Sequence, residues 1–203
     1  MNQRFDYNYV FLIGKMENPF KFAYYENGEA VYSSIIHVAR LSGEVDKIPL
    51  EIKESLLSGI DKEILSGRIK IVGHIASATR NGRLRFNVRV DEQILAAEET
   101  ERDLNHVKLS GAICSEIKIR NRLNDKTVCD FRLASSSENQ VKAYVPIIAW
   151  NNLAWFINSL RCGIRLYVVG RIQSRNFDVK KQDGTYETRV SYEVSIRKIR
   201  KVK

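Results

Sequence analysis

The sequence predicts an all-β protein made of two tandem five-stranded barrels, each with one short helix between its third and fourth strands. Three features carry that prediction: an internal repeat, five strand-like segments per half, and one run of helical periodicity in each. A shift of 97 positions (8 to 105) lays Asn8, Val10, Leu12 and Gly14 on Asn105, Val107, Leu109 and Gly111. The same shift carries Pro49 onto Pro146 and Gly73 with Ile75 onto Gly170 with Ile172, while Gly67 meets Gly163 after a one-residue offset.

In the second half, segments 106–113, 128–135, 143–150, 164–177 and 189–199 alternate or run apolar as strands do. Turn signals separate them, among them Asn124-Asp125 and Asp183-Gly184. Between the third and fourth strands Leu153, Phe156, Ile157 and Leu160 recur at helical spacing, and Gly163 stops the run. The first half repeats the order, with Leu56, Ile60 and Ile64 of ESLLSGIDKEIL as its helix. Five strands with a helix between the third and fourth match the oligonucleotide-binding (OB) barrel. The boundaries expected are 1–95 for the first domain, 96–103 (AAEETERD) for a charged helical or extended linker, and 104–203 for the second domain.

Composition narrows the class. A chain of 203 residues with 44% hydrophobic content has room for one large core or two small ones. No window nears the ~18 consecutive apolar residues of a membrane helix, and the N-terminus lacks signal-peptide character, so a cytoplasmic protein without membrane contact is expected. Cys114, Cys129 and Cys162 are odd in number and never spaced C-x-x-C, which predicts reduced, mostly buried thiols. His37, His74 and His106 lie far apart, and neither a G-x-S-x-G nor a phosphate-loop motif occurs. Neither a metal, a cofactor nor an enzymatic centre is expected.

Charge separates the halves. Residues 1–100 carry 13 Lys and Arg against 14 Asp and Glu, whereas residues 101–203 carry 20 against 10. A basic excess confined to one of two duplicated domains points to a polyanion on that domain, because neutralised phosphates release condensed counterions. Aromatics sharpen the reading. On strand 143–150 Tyr144 and Trp150 share one face, opposite Val145 and Ile147. On strand 164–177 Arg171, Gln173, Arg175 and Phe177 share a face opposite Ile172. Aromatic rings interleaved with cations suit a single strand, because every base has a face to stack and each stacked base is worth ~1 to 3 kcal/mol. Arg132, Lys142, Lys180 and Lys181 flank the same face as further phosphate candidates.

The run YVPIIAWNNLAWFINSLRCGIRLYVVGRIQSRNF, then Asp183-Gly184 and TRVSYEV, resembles the bacterial single-stranded DNA-binding protein family over most of residues 104–199. Asn105-His-Val-x-Leu-x-Gly111 and Phe131-Arg-Leu-Ala134 resemble its first two strands. The resemblance implies single-stranded DNA as the partner, base stacking by Tyr144, Trp150 and Phe177, and a role in replication, recombination or repair. It also implies a homodimer presenting four OB barrels. A further family aromatic falls near Asn139 and is absent, and the chain ends on RKIRKVK where the family carries an acidic tail that recruits enzymes, so no such recruitment is expected. That basic end is a further expected phosphate contact.

By the 97-residue shift Tyr144 maps to Lys47, Trp150 to Lys53 and Phe177 to Arg80, so the first domain keeps the fold and loses the stacking platforms. Its cations rank as weaker phosphate candidates, and the Asn81-Gly82 hairpin is shorter than its counterpart. In strand 9–13 Tyr9, Phe11 and Ile13 form one apolar face and Val10 and Leu12 the other, as in a strand covered on both sides. The first of these faces, with outward Trp155, is the expected interface. Two alternatives remain at this stage: a primosomal or mobile-element accessory factor whose barrels dock proteins, and a single-stranded RNA binder.

Overall fold

The computed structural model describes residues 7–80, 83–92, 94–121, 126–136, 142–181 and 183–202. The first half holds β1 (Asn8–Met16), β2 (Lys21–Glu26), β3 (Glu29–Ala39), β4 (Val45–Lys53), α1 (Glu54–Leu57), α2 (Lys62–Ser66), β5 (Arg68–Arg80), β6 (Arg83–Val90) and β7 (Leu95–Ala96). The second holds β8 (Leu104–Ile113), β9 (Lys118–Asn121), β10 (Thr127–Ser136), β11 (Lys142–Trp150), α3 (Asn152–Asn158), β12 (Arg165–Lys180) and β13 (Tyr186–Lys201).

Each half closes a five-stranded barrel. In the first, β1 pairs with β3 and β5, β3 with β4, β5 with β6, and a short parallel contact joins β4 to β6. The second repeats this with β8, β10, β11, β13 and β12, the parallel contact lying between β11 and β13. Strand alternation fills both interiors: Val10, Leu12, Ile36, Ile48, Leu50 and Ile75 in the first, and Val107, Leu109, Leu133, Val145, Ile147 and Ile172 in the second, are all buried. α3 plugs the second barrel with buried Ala154 and Ile157. These features match the expected architecture.

The first half departs in its helix, which is two short pieces rather than one. Asp61 takes the N-cap of α2 and its carboxylate accepts from the Glu63 amide at 3.0 Å. A capping carboxylate restarts a helix rather than continuing it, and Gly59 weakens the turn before it. β2 and β9, edge strands outside the closed barrels, were not among the five predicted per half.

The repeat extends to individual hydrogen bonds. Asn8 Nδ2 donates to the Ile75 carbonyl at 2.8 Å while its Oδ1 accepts from the Ile75 amide at 2.9 Å. Asn105 does the same to Ile172, at 2.7 and 2.9 Å. Each clamp satisfies both backbone groups where the fourth barrel strand bends, which is why both positions hold the same amide side chain. Gly14 and Gly111 lie so close to the neighbouring strand that a Cβ would run into the carbonyls of His37 and Ala134 respectively.

A pseudo-two-fold axis relates the barrels. β1 pairs antiparallel with β8, and Val10 lies opposite its own repeat counterpart Val107. Phe86 and Tyr192 stack across the same axis at 5.5 Å between ring centroids and 16° between planes. The hairpins then cross reciprocally: the Tyr144 amide donates to Ser77 Oγ at 2.6 Å, and the Lys47 amide donates to Ser174 Oγ at 3.3 Å. Asp46, 1% exposed, anchors this seam by accepting from the Arg40 guanidinium and from the Ser174 amide at 2.9 Å. Residues 96–103 are no free connector. Ala96 pairs with Ile69, Asp103 meets Arg68 at 2.7 Å, and Glu101 meets Lys70 at 2.7 Å.

Candidate nucleic-acid interface

Register places a continuous outer face across β9, β10, β11, β13 and β12. On β11 it presents Tyr144, Pro146 and Trp150, opposite Ala134, Arg132 and Val128 of β10, while Ile148, of the same parity, is buried opposite Asp130. Lys118 and Arg120 of β9 lie opposite Asp130 and Val128, and Ser195 of β13 lies beside Ile148. β12 adds Arg171, Gln173, Arg175 and Phe177 opposite Ser195, Glu193, Ser191 and Arg189. Tyr144 is 48% and Phe177 41% exposed. Trp150 is partly exposed, its indole Nε1–H donating to Ser195 Oγ at 3.2 Å, which fixes the ring orientation. Trp150 lies six positions along β11 from Tyr144, so the platforms stand roughly 20 Å apart.

Cations border this face. Arg132, Lys142, Arg175, Lys180 and Lys181 are exposed and, among the described residues, make no ion pair. A groove of about 430 Å³ opens between Lys118, Arg120 and Arg132 on one side and Arg175 on the other, with Phe131, Pro146 and Ile147 along its floor. Arg120 meets Asp130 at 2.6 Å and Lys118 meets Glu116 at 3.7 Å. Neither β9 cation was among the sequence candidates, although Lys118-Ile119-Arg120 carries the period-two alternation of a strand.

Two predicted contacts lie elsewhere than expected. Arg171 points into the seam beside Arg40 and Asp46; burial and then the Arg40 charge push its guanidinium pKa below the usual arginine range. Gln173 is held by Glu193 at 2.6 Å. The basic end also turns away, with Arg200 over the Tyr167 ring at 4.6 Å and Lys201 over Phe156 at 5.8 Å. The turn at Asn124-Asp125, the position of Asn139 and the hairpin tip at Asn81-Gly82 lie outside the described residues.

The equivalent face of the first barrel is neutralised from within. Lys47 and Lys53, at the positions of Tyr144 and Trp150, meet Glu17 at 3.0 Å and Glu29 at 3.2 Å. The Lys47 hydrogen bond, with His37 nearby, holds the Glu17 carboxyl below the usual carboxylate range. Arg89 meets Glu26 at 2.7 Å and Glu51 at 3.3 Å, and Glu51 also accepts from the Tyr24 hydroxyl. Burial opposes the Arg89 charge, but the Glu26 hydrogen bond and the surrounding negative groups outweigh it and raise its pKa. Arg80 pairs with Arg83 in the ladder, and its side chain lies outside the described residues.

On the opposite surface of the central sheet Tyr9 and Phe11 are half-buried and Ile13 is buried, while Val10 and Leu12 enter the core. Lys108 lies 5.6 Å from the Tyr9 ring centroid, and Val72 and His106 flank Phe11. Trp155 is 57% exposed on α3. The thiols also differ from expectation: Cys129 is buried, whereas Cys114 is partly exposed and Cys162 exposed, because Cys162 sits in a surface turn. No helix among the described residues is long and apolar enough to cross a membrane.

Comparison with known proteins gives two kinds of match. Residues 104–202 match the model of the single-strand binding protein family. Among solved structures, the wild-type single-stranded DNA binding protein from Thermus aquaticus aligns over 98% of this chain and 94% of its own, with 21% identity and a TM-score of 0.74. A deletion mutant of that protein aligns over 97% and 95%, again with 21% identity and a TM-score of 0.74. The N-terminal domain of PriB from Thermoanaerobacter tencongensis shares 33% identity over 45% of this chain and 98% of its own, with a TM-score of 0.39. No curated protein sequence matches. At 21% identity the Thermus structures speak to the fold, across both barrels at once, while the family model speaks to the second barrel alone. The chain thus folds as two tandem OB barrels, the second of which, residues 104–202, matches the model of the single-strand binding protein family.

Proposed function

We propose that this chain is a non-catalytic, largely sequence-independent binder of single-stranded DNA, acting in replication, recombination or repair, and that its second barrel is the binding module. The observation that carries the reading is the contrast between two superimposable faces. One offers Tyr144, Trp150 and Phe177 among cations that make no ion pair among the described residues; the other closes Lys47, Lys53 and Arg89 onto carboxylates. A phosphate approaching the first barrel's face must displace a carboxylate, so its net gain is small. On the second barrel's face it meets available charge, and bases stack on exposed rings. The domains at 1–95 and 104–203 then divide into a scaffold and a binding module.

The half-exposed patch of Tyr9, Phe11, Val72 and Val169 on the outer sheet surface supports a homodimer with four barrels. The functional reading is tested by titrating oligo-dT and oligo-rU of equal length at two salt concentrations while following tryptophan fluorescence. Quenching, with affinity that falls as salt rises and prefers DNA, is expected. Binding without quenching, or a preference for RNA, would overturn it.

A further inference from the structure

We propose that Cys114 and Cys162 form a thiol pair that closes reversibly into an intramolecular disulfide when the chain meets a low-molecular-weight disulfide. The two residues sit where the β8–β12 ladder runs on beyond its last regular pair, Ala112 with Arg165. The Ile113 amide donates to the Ile164 carbonyl at 2.9 Å, and the Gly163 amide donates to the Ile113 carbonyl at 2.8 Å. Cys114 follows Ile113 and Cys162 precedes Gly163, so both cysteines adjoin this last pair of hydrogen bonds. Arg161 to Ile164 is a turn closed by the Ile164 amide on the Arg161 carbonyl at 3.3 Å, with Gly163 at φ +88°. That geometry puts Cys162 at the first corner of the turn, with an exposed side chain.

The thiols aim at one short stretch of backbone. Cys162 Sγ–H donates to the Ile113 carbonyl oxygen at 3.1 Å. In a trans peptide that oxygen lies about 2.8 Å from the Cα of the next residue, so the sulfur is within about 6 Å of the Cys114 Cα. Cys114 Sγ–H donates to the Arg132 carbonyl at 3.4 Å, a weak bond that a side-chain rotation releases. A Cys114 side chain turned toward the Cys162 sulfur then has only a short gap to close, which is the approach a disulfide needs. Burial raises the Cys114 thiol pKa, and the neighbouring Cys162 adds to the rise. Cys129, buried with its thiol pushed up to about 11, stays inert.

The exposed Cys162 reacts first. Its thiolate attacks one sulfur of oxidised glutathione, forming a mixed disulfide and expelling one glutathione thiolate. The Cys114 thiolate then attacks the Cys162 sulfur, expelling the second. The two cysteine protons end on the two released thiols, and one oxidant disulfide is reduced for each protein disulfide formed. Cys114 also holds the Arg132 carbonyl through its amide at 2.9 Å, and Ser115 Oγ accepts from the Arg132 amide at 2.8 Å. The disulfide would therefore form next to Ser115 and Arg132, which line the groove.

The test equilibrates the full chain with oxidised glutathione, alkylates remaining thiols with N-ethylmaleimide, and maps peptides without reduction. The expected result is coupled loss of two thiols, a cross-linked peptide pair containing Cys114 and Cys162, and an intact Cys129. C114S is expected to stop at a glutathione adduct on Cys162, and dithiothreitol to restore the parent thiols. Wild-type protein that accumulates the adduct on Cys162 while Cys114 stays free for alkylation, or that forms only bridges between chains, would overturn the proposal. The mapping needs no variant, so a poorly folding C114S leaves the test decisive.

Discussion

Replacing Trp150 with Ala removes one stacking platform while leaving the cations in place. The indole stands partly exposed, with its Nε1–H on Ser195 Oγ at 3.2 Å, so it is oriented before any strand arrives and little side-chain freedom is lost on binding. One stacked base is worth ~1 to 3 kcal/mol, so Trp150→Ala is expected to weaken oligo-dT binding about 5- to 140-fold. Because no phosphate contact is lost, the slope of log affinity against log salt should stay as in the parent. The assay is anisotropy of labelled oligo-dT at several salt concentrations, in a Trp155→Phe background. Trp155 is 57% exposed on α3, away from the stacking face, so its removal leaves Trp150 as the only tryptophan and makes quenching specific. Circular dichroism and sedimentation must first show an unchanged fold and assembly, since the loss of the Ser195 bond alone costs about 1 kcal/mol of stability. A folded Trp150→Ala protein with parental affinity, together with no quenching of Trp150 in the background protein, would refute the stacking argument.

Other outcomes follow from the same geometry. Arg175→Ala, removing an exposed cation on the groove rim, should flatten the salt plot by about 0.7 and weaken all base sequences alike; an unchanged slope places the phosphate elsewhere. Asn105→Ala strips both hydrogen bonds from the Ile172 backbone and should cost about 2 to 3 kcal/mol in urea unfolding, with Asn8→Ala losing a similar amount; a neutral result would show that the clamps are incidental. Phe11→Glu puts a charge on the outer sheet surface and should shift sedimentation towards monomer, whereas a folded, unshifted dimer would place the assembly face elsewhere.

The sequence reveals what local geometry repeats and hides what distant residues decide. Asn8 with Asn105 and Gly14 with Gly111 were legible because each position demands one residue type, an amide that satisfies a backbone pair or a glycine that lets strands touch. Parity placed Tyr144 and Trp150 outward correctly because a strand's side-chain period is two, and the neighbouring Val145 and Ile147 are buried. Arg171 obeys the same parity yet ends in the seam, because the partner that claims the space, Asp46, lies in the other barrel. The neutral first face was equally hidden: Glu17, Glu26 and Glu29 reach Lys47, Arg89 and Lys53 from segments whose packing no spacing rule supplies. β9 is only four residues long, and α1 and α2 are too short for periodicity to separate. The β2–β3 turn, by contrast, carries a plain hairpin signal in Asn27-Gly28, both with positive φ, which the repeat by itself does not bring out.

Where a bound single strand lies is the question that decides the account. Ultraviolet cross-linking of oligo-dT to the full chain, followed by peptide mapping, reads it out residue by residue. The first barrel supplies its own control, because Phe22 and Tyr25 are 54% and 72% exposed there and can react if a strand passes. Adducts on Tyr144, Trp150 or Phe177, with Phe22 and Tyr25 unmodified, are the predicted result. Adducts confined to Phe22, Tyr25 or the β3–β4 face would contradict the assignment of binding to the second barrel.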